Sequence, residues 1–107
     1  MTSADEREKS YEKKLERDQE LAFKAKARRK KLLGLWAAGG MGLSGAAAEA
    51  YAADVVSSDL QHDGEAALVQ KIVRDAAAKG HTFDPHRVHA ELERFAAEAK
   101  KQLGMPG

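Results

Sequence analysis

Six residues in the middle of the chain, Gly40-Met41-Gly42-Leu43-Ser44-Gly45, match G-x-G-x-x-G letter for letter. In dinucleotide-binding proteins that spacing lets a tight turn bring backbone amides against a pyrophosphate. The mechanism requires a strand before the turn and a βαβ unit around it. Here a helical pattern ending in Trp36-Ala37-Ala38 precedes the glycines, and no strand-like alternation follows. The stretch reads as a linker between two helices. A weak anion or nucleotide contact at Ser44 and Gly45 remains, because the first amides of a helix are open to a phosphate.

Four histidines, His62, His81, His86 and His89, are the other candidates for chemistry. His86 and His89 stand three apart on a helical pattern with Glu93 four further on, which is a conceivable pair of metal ligands with a carboxylate. No cysteine supports them, and His62 falls in a distant polar turn. They read as surface histidines. The Ser, Asp and Glu residues fall at helix caps and on solvated faces, and no nucleophile has a base placed by its spacing. No catalytic residue, metal site or cofactor is expected, so the chain must act by binding.

The run Lys24 to Lys31 has six basic residues and no acid. Nucleic acid or an anionic membrane surface is the obvious partner for such a run. On a helical wheel, however, the six charges spread around most of the circumference, whereas a membrane-surface helix separates its faces. A net charge of +1 is also low for a nucleic-acid module. A small helical stress or assembly factor using Lys24–Lys31 is the alternative to a protein-binding role.

These residues sit on a chain of 107, enough for one domain. Charged residues reach 33% and aromatics only 6%, a composition that favours helix over sheet. The absence of cysteine removes disulfides and thiol chemistry and suits a reducing cytosol. No window approaches the roughly 18 apolar residues of a membrane span. The charge from Asp5 onward excludes a signal peptide, so the mature chain is expected to begin at or next to Met1.

The charge is unevenly spread. Residues 1–31 carry eleven Lys/Arg against seven Asp/Glu, and the rest carries seven against ten. The first third therefore has a job of its own. From Ser3 to Lys31 no Gly or Pro interrupts a helix, and Ser3 with Glu6 has the spacing of a capping box. Yet Tyr11, Leu15 and Ala22 form only a thin apolar line. Glu8, Glu12, Glu16 and Glu20 repeat every four residues, a mildly repulsive spacing that Lys9, Lys13 and Arg17 partly offset. An isolated helix of this kind is marginal. Residues 1–20 read as a flexible arm that can become helical.

From residue 21 the amphipathic pattern strengthens. Leu21, Ala25, Leu32 and Trp36 share one face, and that helix should stop near Gly39-Gly40. Ser44 can cap a second helix over 46–60, burying Tyr51, Ala52, Val55, Val56 and Leu60. The stretch 61–64 is a polar turn. A third helix, 65–79, presents Leu68, Val69, Ile72, Val73 and Ala76, and Gly80 stops it. Asp84-Pro85 starts a fourth, which buries Val88, Leu92, Phe95, Ala96, Ala99 and Leu103. Short connections imply antiparallel packing. The expected fold is all-α: a mobile, charged N-terminal arm (1–20), a four-helix bundle (21–103) and a disordered tail (104–107).

Particular residues go further than pattern. The block AFKAKARRKKLLGLWAA at 22–38 resembles the zeta-subunit family, regulators of alphaproteobacterial F-type ATP synthases. So do Gly42-Leu43-Ser44-Gly45, Ala48-Glu49-Ala50-Tyr51-Ala52 and Val55-Val56, with Asp59, Gly64, Lys71-Ile72-Val73 and Asp75 at matching spacing, and the closing Ala99-Lys100-Lys101-Gln102. The resemblance spans nearly the whole chain, most specifically over 22–56. It implies a four-helix bundle whose arm becomes helical between subunits of the catalytic head and blocks rotation in the hydrolysing direction. It further implies a regulatory, non-catalytic protein in the cytoplasm, held at the inner membrane through the synthase, with monomer as the expected state.

The partner-binding residues expected on that basis are Ala4, Glu8, Tyr11, Glu12, Leu15, Asp18, Ala22, Phe23, Lys24, Arg28 and Arg29. Two departures bear on strength. The family often has an aromatic where this chain has Ala4, and a Phe where it has Leu15, so a weaker arm is expected. Gly39-Gly40 stands where bulkier apolar residues are usual.

Overall fold

The uninterrupted stretch after Ser3 forms one helix, α1 (Ser3–Gly40), and three shorter helices pack along its second half: α2 (Gly45–Ser58), α3 (Glu65–Ala78) and α4 (Pro85–Gln102). The structure is a computed structural model that describes residues 3–58 and 64–105, with side chains from Glu12 onward. Leu60 and His62, assigned above to a buried face and a turn, lie outside the described residues, as does most of that turn. The fold is all-α with four helices, and no strand occurs among the described residues. The G-x-G-x-x-G stretch therefore lacks the strand its dinucleotide reading requires.

Local chemistry sets the helix ends. α1 stops where Gly39-Gly40 predicts, with Gly40 its last residue. The chain turns away at Gly42, whose φ of +80° is the left-handed conformation that glycine adopts without strain. The Leu43 N–H then reaches the Ala38 carbonyl at 2.8 Å, and the Gly42 N–H reaches Gly39 at 3.1 Å. This closure satisfies carbonyls the helix end would leave bare. Gly80 ends α3 in the same way, as expected from sequence. At the head of α4, the Asp84 carboxylate accepts from the His86 N–H at 3.0 Å and Pro85 takes the first helical position.

The core is made of Leu33 and Ala37 from α1, Met41 just past its end, Val55 from α2, Leu68 and Ile72 from α3, and Val88, Leu92 and Phe95 from α4, with smaller residues between them. The expected faces of α3 and α4 are the buried ones. On α1 the expected face is only partly right: Ala25 is buried, but Leu21, Leu32 and Trp36 are half-buried. The deepest positions are Leu33, Ala37 and Ala38, because α1 packs against α2 and α4 at once and also touches α3. A helix covered from several sides buries a wide arc, and the thin line read from sequence marks only its edge.

Gly34 sits where α1 meets α2. A Cβ there would lie 2.8 Å from Ala52 Cα and 3.3 Å from Val55 Cβ, so no larger residue fits without moving a backbone. Gly40 is close to a side chain instead, the Phe83 ring at 2.6 Å from such a Cβ. Gly39 faces open space.

The outer half of α1 stands clear. Residues 12–20 are all exposed, and Leu21 is the first residue after them with partial cover. The radius of gyration is 17.6 Å and the extents are 68 × 26 × 24 Å. A compact domain of this length would have a radius of about 13 Å, and the overhang accounts for the excess. Among the described residues no helix is long and apolar enough to cross a membrane.

The same substitution should have opposite signs at two glycines of α1. Gly34→Ala should lower stability by about 1–3 kcal/mol, since overpacking against backbone outweighs its better helix propensity. Gly39→Ala, open to solvent, should raise it by about 0.5 kcal/mol. Urea midpoints of the two variants measure both; a stabilised Gly34→Ala would show that the helices are free to separate there.

Candidate functional site

The overhang has one large apolar group with described surroundings. Leu15 is 45% exposed, on a helix whose neighbours Glu12 and Asp18 are also in solvent. The side chains of Ala4, Glu8 and Tyr11 lie outside the described residues, although their backbone belongs to α1. Lys24 pairs with Glu20 at 3.3 Å, one turn apart, and both are exposed. An exposed pair of this kind contributes little and exchanges readily.

The residues expected to bind a partner divide at the base of the overhang. Ala22, Phe23 and Lys24 are exposed, and Phe23 is 63% so, more than any other large apolar side chain described. Arg28 and Arg29 turn back onto the bundle. Arg28 Nη1 donates to Gln102 Oε1 at 3.0 Å on α4, and Arg29 Nη1 meets Glu65 Oε1 at 3.4 Å on α3. The Arg29 Nε–H is buried without an acceptor. These two arginines anchor the helix that the overhang extends.

The basic run is therefore not a uniform cationic surface. Lys30 is buried, Arg29 is paired, and Lys31 stands 4.0 Å from Glu49. A polyanion would meet acids interleaved with the cations. Sequence reading missed what three helices build together beside the run. Phe23, Lys24, Ala27 and Lys31 of α1 face Val56 of α2 and Leu103 just past α4, around an open groove. No pattern in one helix could reveal it, because Val56 and Leu103 come from elsewhere in the chain.

The other candidate chemistry is dispersed. Ser44 and Gly45 are exposed at the start of α2. His89 lies between Glu65 at 3.4 Å and Glu93 at 3.7 Å, whereas His81 and His86 are exposed. Among the described residues no three His, Asp or Glu gather as metal ligands. Glu91 is buried on α4, which the apolar spacing did not anticipate. Hydrogen bonds from Arg94 at 2.7 Å and Arg87 at 3.1 Å hold its carboxyl below the usual carboxylate range despite burial. The two guanidinium groups also lie over Phe95 and Trp36. Arg94–Glu91–Arg87 is thus a brace along one helix.

A family model described as ATPase inhibitor subunit zeta matches residues 1–102. No curated protein and no solved structure matches the chain.

A polar cluster joins α2 and α3. Tyr51 Oη donates to Asp75 Oδ2 at 2.9 Å, and Lys71 Nζ reaches Asp54 at 2.8 Å and Asp75 at 3.0 Å. Burial pushes the Tyr51 phenol far above its usual value, and the bond to Asp75 and the two carboxylate charges push it further. Partial burial works against the Lys71 ammonium, but its bonds to Asp54 and Asp75 outweigh that and raise its pKa. Both groups are held protonated, so their contribution is complete below their unfolded values near pH 10 and is lost as pH rises beyond them. Tyr51→Phe should cost about 1–2 kcal/mol at neutral pH, the worth of a hydrogen bond to a charged group. It should also shrink the loss of stability as pH rises above about 10, read from urea midpoints.

Proposed function

The chain belongs to the ATPase inhibitor subunit zeta family, and from that premise we propose that it restrains ATP hydrolysis by an F-type ATP synthase, using the overhanging end of α1 as the inhibitory element. The observation that supports this reading is a helix end, residues 12–20, that rests on nothing of its own bundle yet carries Leu15 in the open. Short helices without tertiary support are marginal in water, so such a segment gains most of its order from whatever it docks against. Residues 3–20 as a helix are about 27 Å long, enough to reach deep between two subunits.

The action is obstruction. A helix lodged between subunits that must change shape in each catalytic cycle holds them in one arrangement, and no reacting group is needed. Tyr11 and Leu15 lie on the single apolar line of the arm and would be the anchors in a desolvated groove. The bundle serves as the body that presents the arm and, in this reading, works as a monomer on the cytoplasmic face of the inner membrane. In this reading the arm is mobile in the free protein, since its residues 12–20 are exposed and opening them uncovers no core. Amides 9–17 should then exchange orders of magnitude faster than those near Val55 or Leu92; equal protection would contradict a mobile arm.

Hydrolysis by the purified cognate head, titrated with each variant, tests the mechanism. Deleting residues 1–18 should abolish inhibition and leave the thermal midpoint almost unchanged, because the described side chains among them, 12–18, are all exposed. Replacing Tyr11 and Leu15 together by Ala should weaken inhibition by roughly two orders of magnitude, about 3 kcal/mol. Ala4→Phe should tighten it. Equal inhibition by the full chain and the deletion would rule out the wedge.

A further inference from the structure

The groove at the base of the overhang is not explained by an arm that acts alone. It holds about 550 Å³ and is floored by Ala27, Val56 and Leu103. Lys24, Arg28 and Lys31 rim it, and Phe23 stands at its lip, largely in solvent. A large aromatic left exposed beside an apolar floor marks a surface awaiting cover. We propose that this groove receives an acidic helical segment of the ATPase head, one that brings an apolar side chain against Phe23 and carboxylates to the three cations. This rests on the inhibitory reading above and adds a second contact to it, separate from the arm.

The charges on the page select that occupant. The Arg28 guanidinium is exposed and donates to the neutral Gln102 amide rather than directly to a carboxylate, so it can turn to an incoming acid. Lys24 and Lys31 have only exposed partners, Glu20 at 3.3 Å and Glu49 at 4.0 Å, which incoming carboxylates can displace at little cost. Three cations around an apolar floor match a helix carrying two or three acids beside one apolar anchor. A membrane or a nucleic acid, by contrast, presents its charge as a continuous surface and would meet Glu20 and Glu49 together with the lysines. Position agrees as well. Phe23 follows Leu15 by eight residues, about 12 Å along α1, so a body that takes the arm is carried to the groove.

Binding of the full chain to the purified cognate head, at low and high salt, tests this. Phe23→Ala should weaken binding about tenfold, as loss of an interfacial aromatic does, and Phe23→Leu should recover part of it. The charge reversal Lys24→Glu with Lys31→Glu should weaken it by about tenfold at low salt and by much less at high salt. These side chains are exposed, so unchanged thermal midpoints should accompany both losses. The losses should also add to that of Tyr11→Ala with Leu15→Ala, as for separate sites. Wild-type protein that binds and inhibits, with all groove variants within about twofold of it at both salts, overturns the groove and leaves the inhibitory reading standing. Wild-type protein that neither binds nor inhibits overturns both. Charge reversals that spare the head but abolish binding to phosphatidylglycerol vesicles or to duplex RNA assign the groove to a different class of partner and overturn the proposal.

Discussion

The close approach of α1 and α2 at Gly34 is the constraint on which the rest depends. Only a hydrogen at that position lets the two backbones come near enough for Ala52 and Val55 to seat against α1. With α2 drawn in, Leu33 and Ala37 are fully covered, and α1 becomes the common wall of the bundle. The helix α4 takes the other side of α1 and covers α3, while α3 is tied to α2 largely through the Tyr51–Asp75 and Lys71–Asp54 bonds. A small domain has little apolar area to spare, and this arrangement lets one helix serve three interfaces.

The same helix resolves the conflict in its own composition. A run of six cations is costly to bury and useful only if displayed. As α1 turns, the run is divided: Lys30 and Arg29 go inward with their partners, Arg28 bridges to α4, and Lys24, Lys26 and Lys31 stay outside. A stretch that reads as a single basic patch is thus part anchor and part rim. Anchor and rim lie directly below the overhang, so the Arg28 and Arg29 bonds that root the helix also shape the ground around its base.

Much of this was legible in advance where one helix decides the matter alone. The spacing of Leu68, Ile72 and Ala76, and of Val88, Leu92, Phe95 and Ala99, names the faces that are buried, and Asp84-Pro85 and Gly80 mark true ends. Reading failed where the answer depended on a neighbour. Gly39-Gly40 marks the end of α1 correctly, but nothing local tells that Gly40 must be small to admit Phe83. The face of α1 was misplaced by part of a turn because α2 and α4 share it. Glu91 looked solvated because nothing in its spacing tells that Arg87 and Arg94 close over it. The groove was invisible for the same reason: its floor comes from residues 27, 56 and 103.

The order of the helices has a consequence for how the molecule is made. The element that every other helix leans on is also the earliest of the four to leave the ribosome. Each later helix therefore emerges with its template already in reach, and α2 can pair with α1 across a connection of only a few residues. Contacts that are close in sequence form quickly, so assembly can keep pace with synthesis. Until α2 arrives, though, Leu33, Ala37 and Met41 have nothing to cover them, and the nearest charges on that stretch are those of the basic run that ends at Lys31.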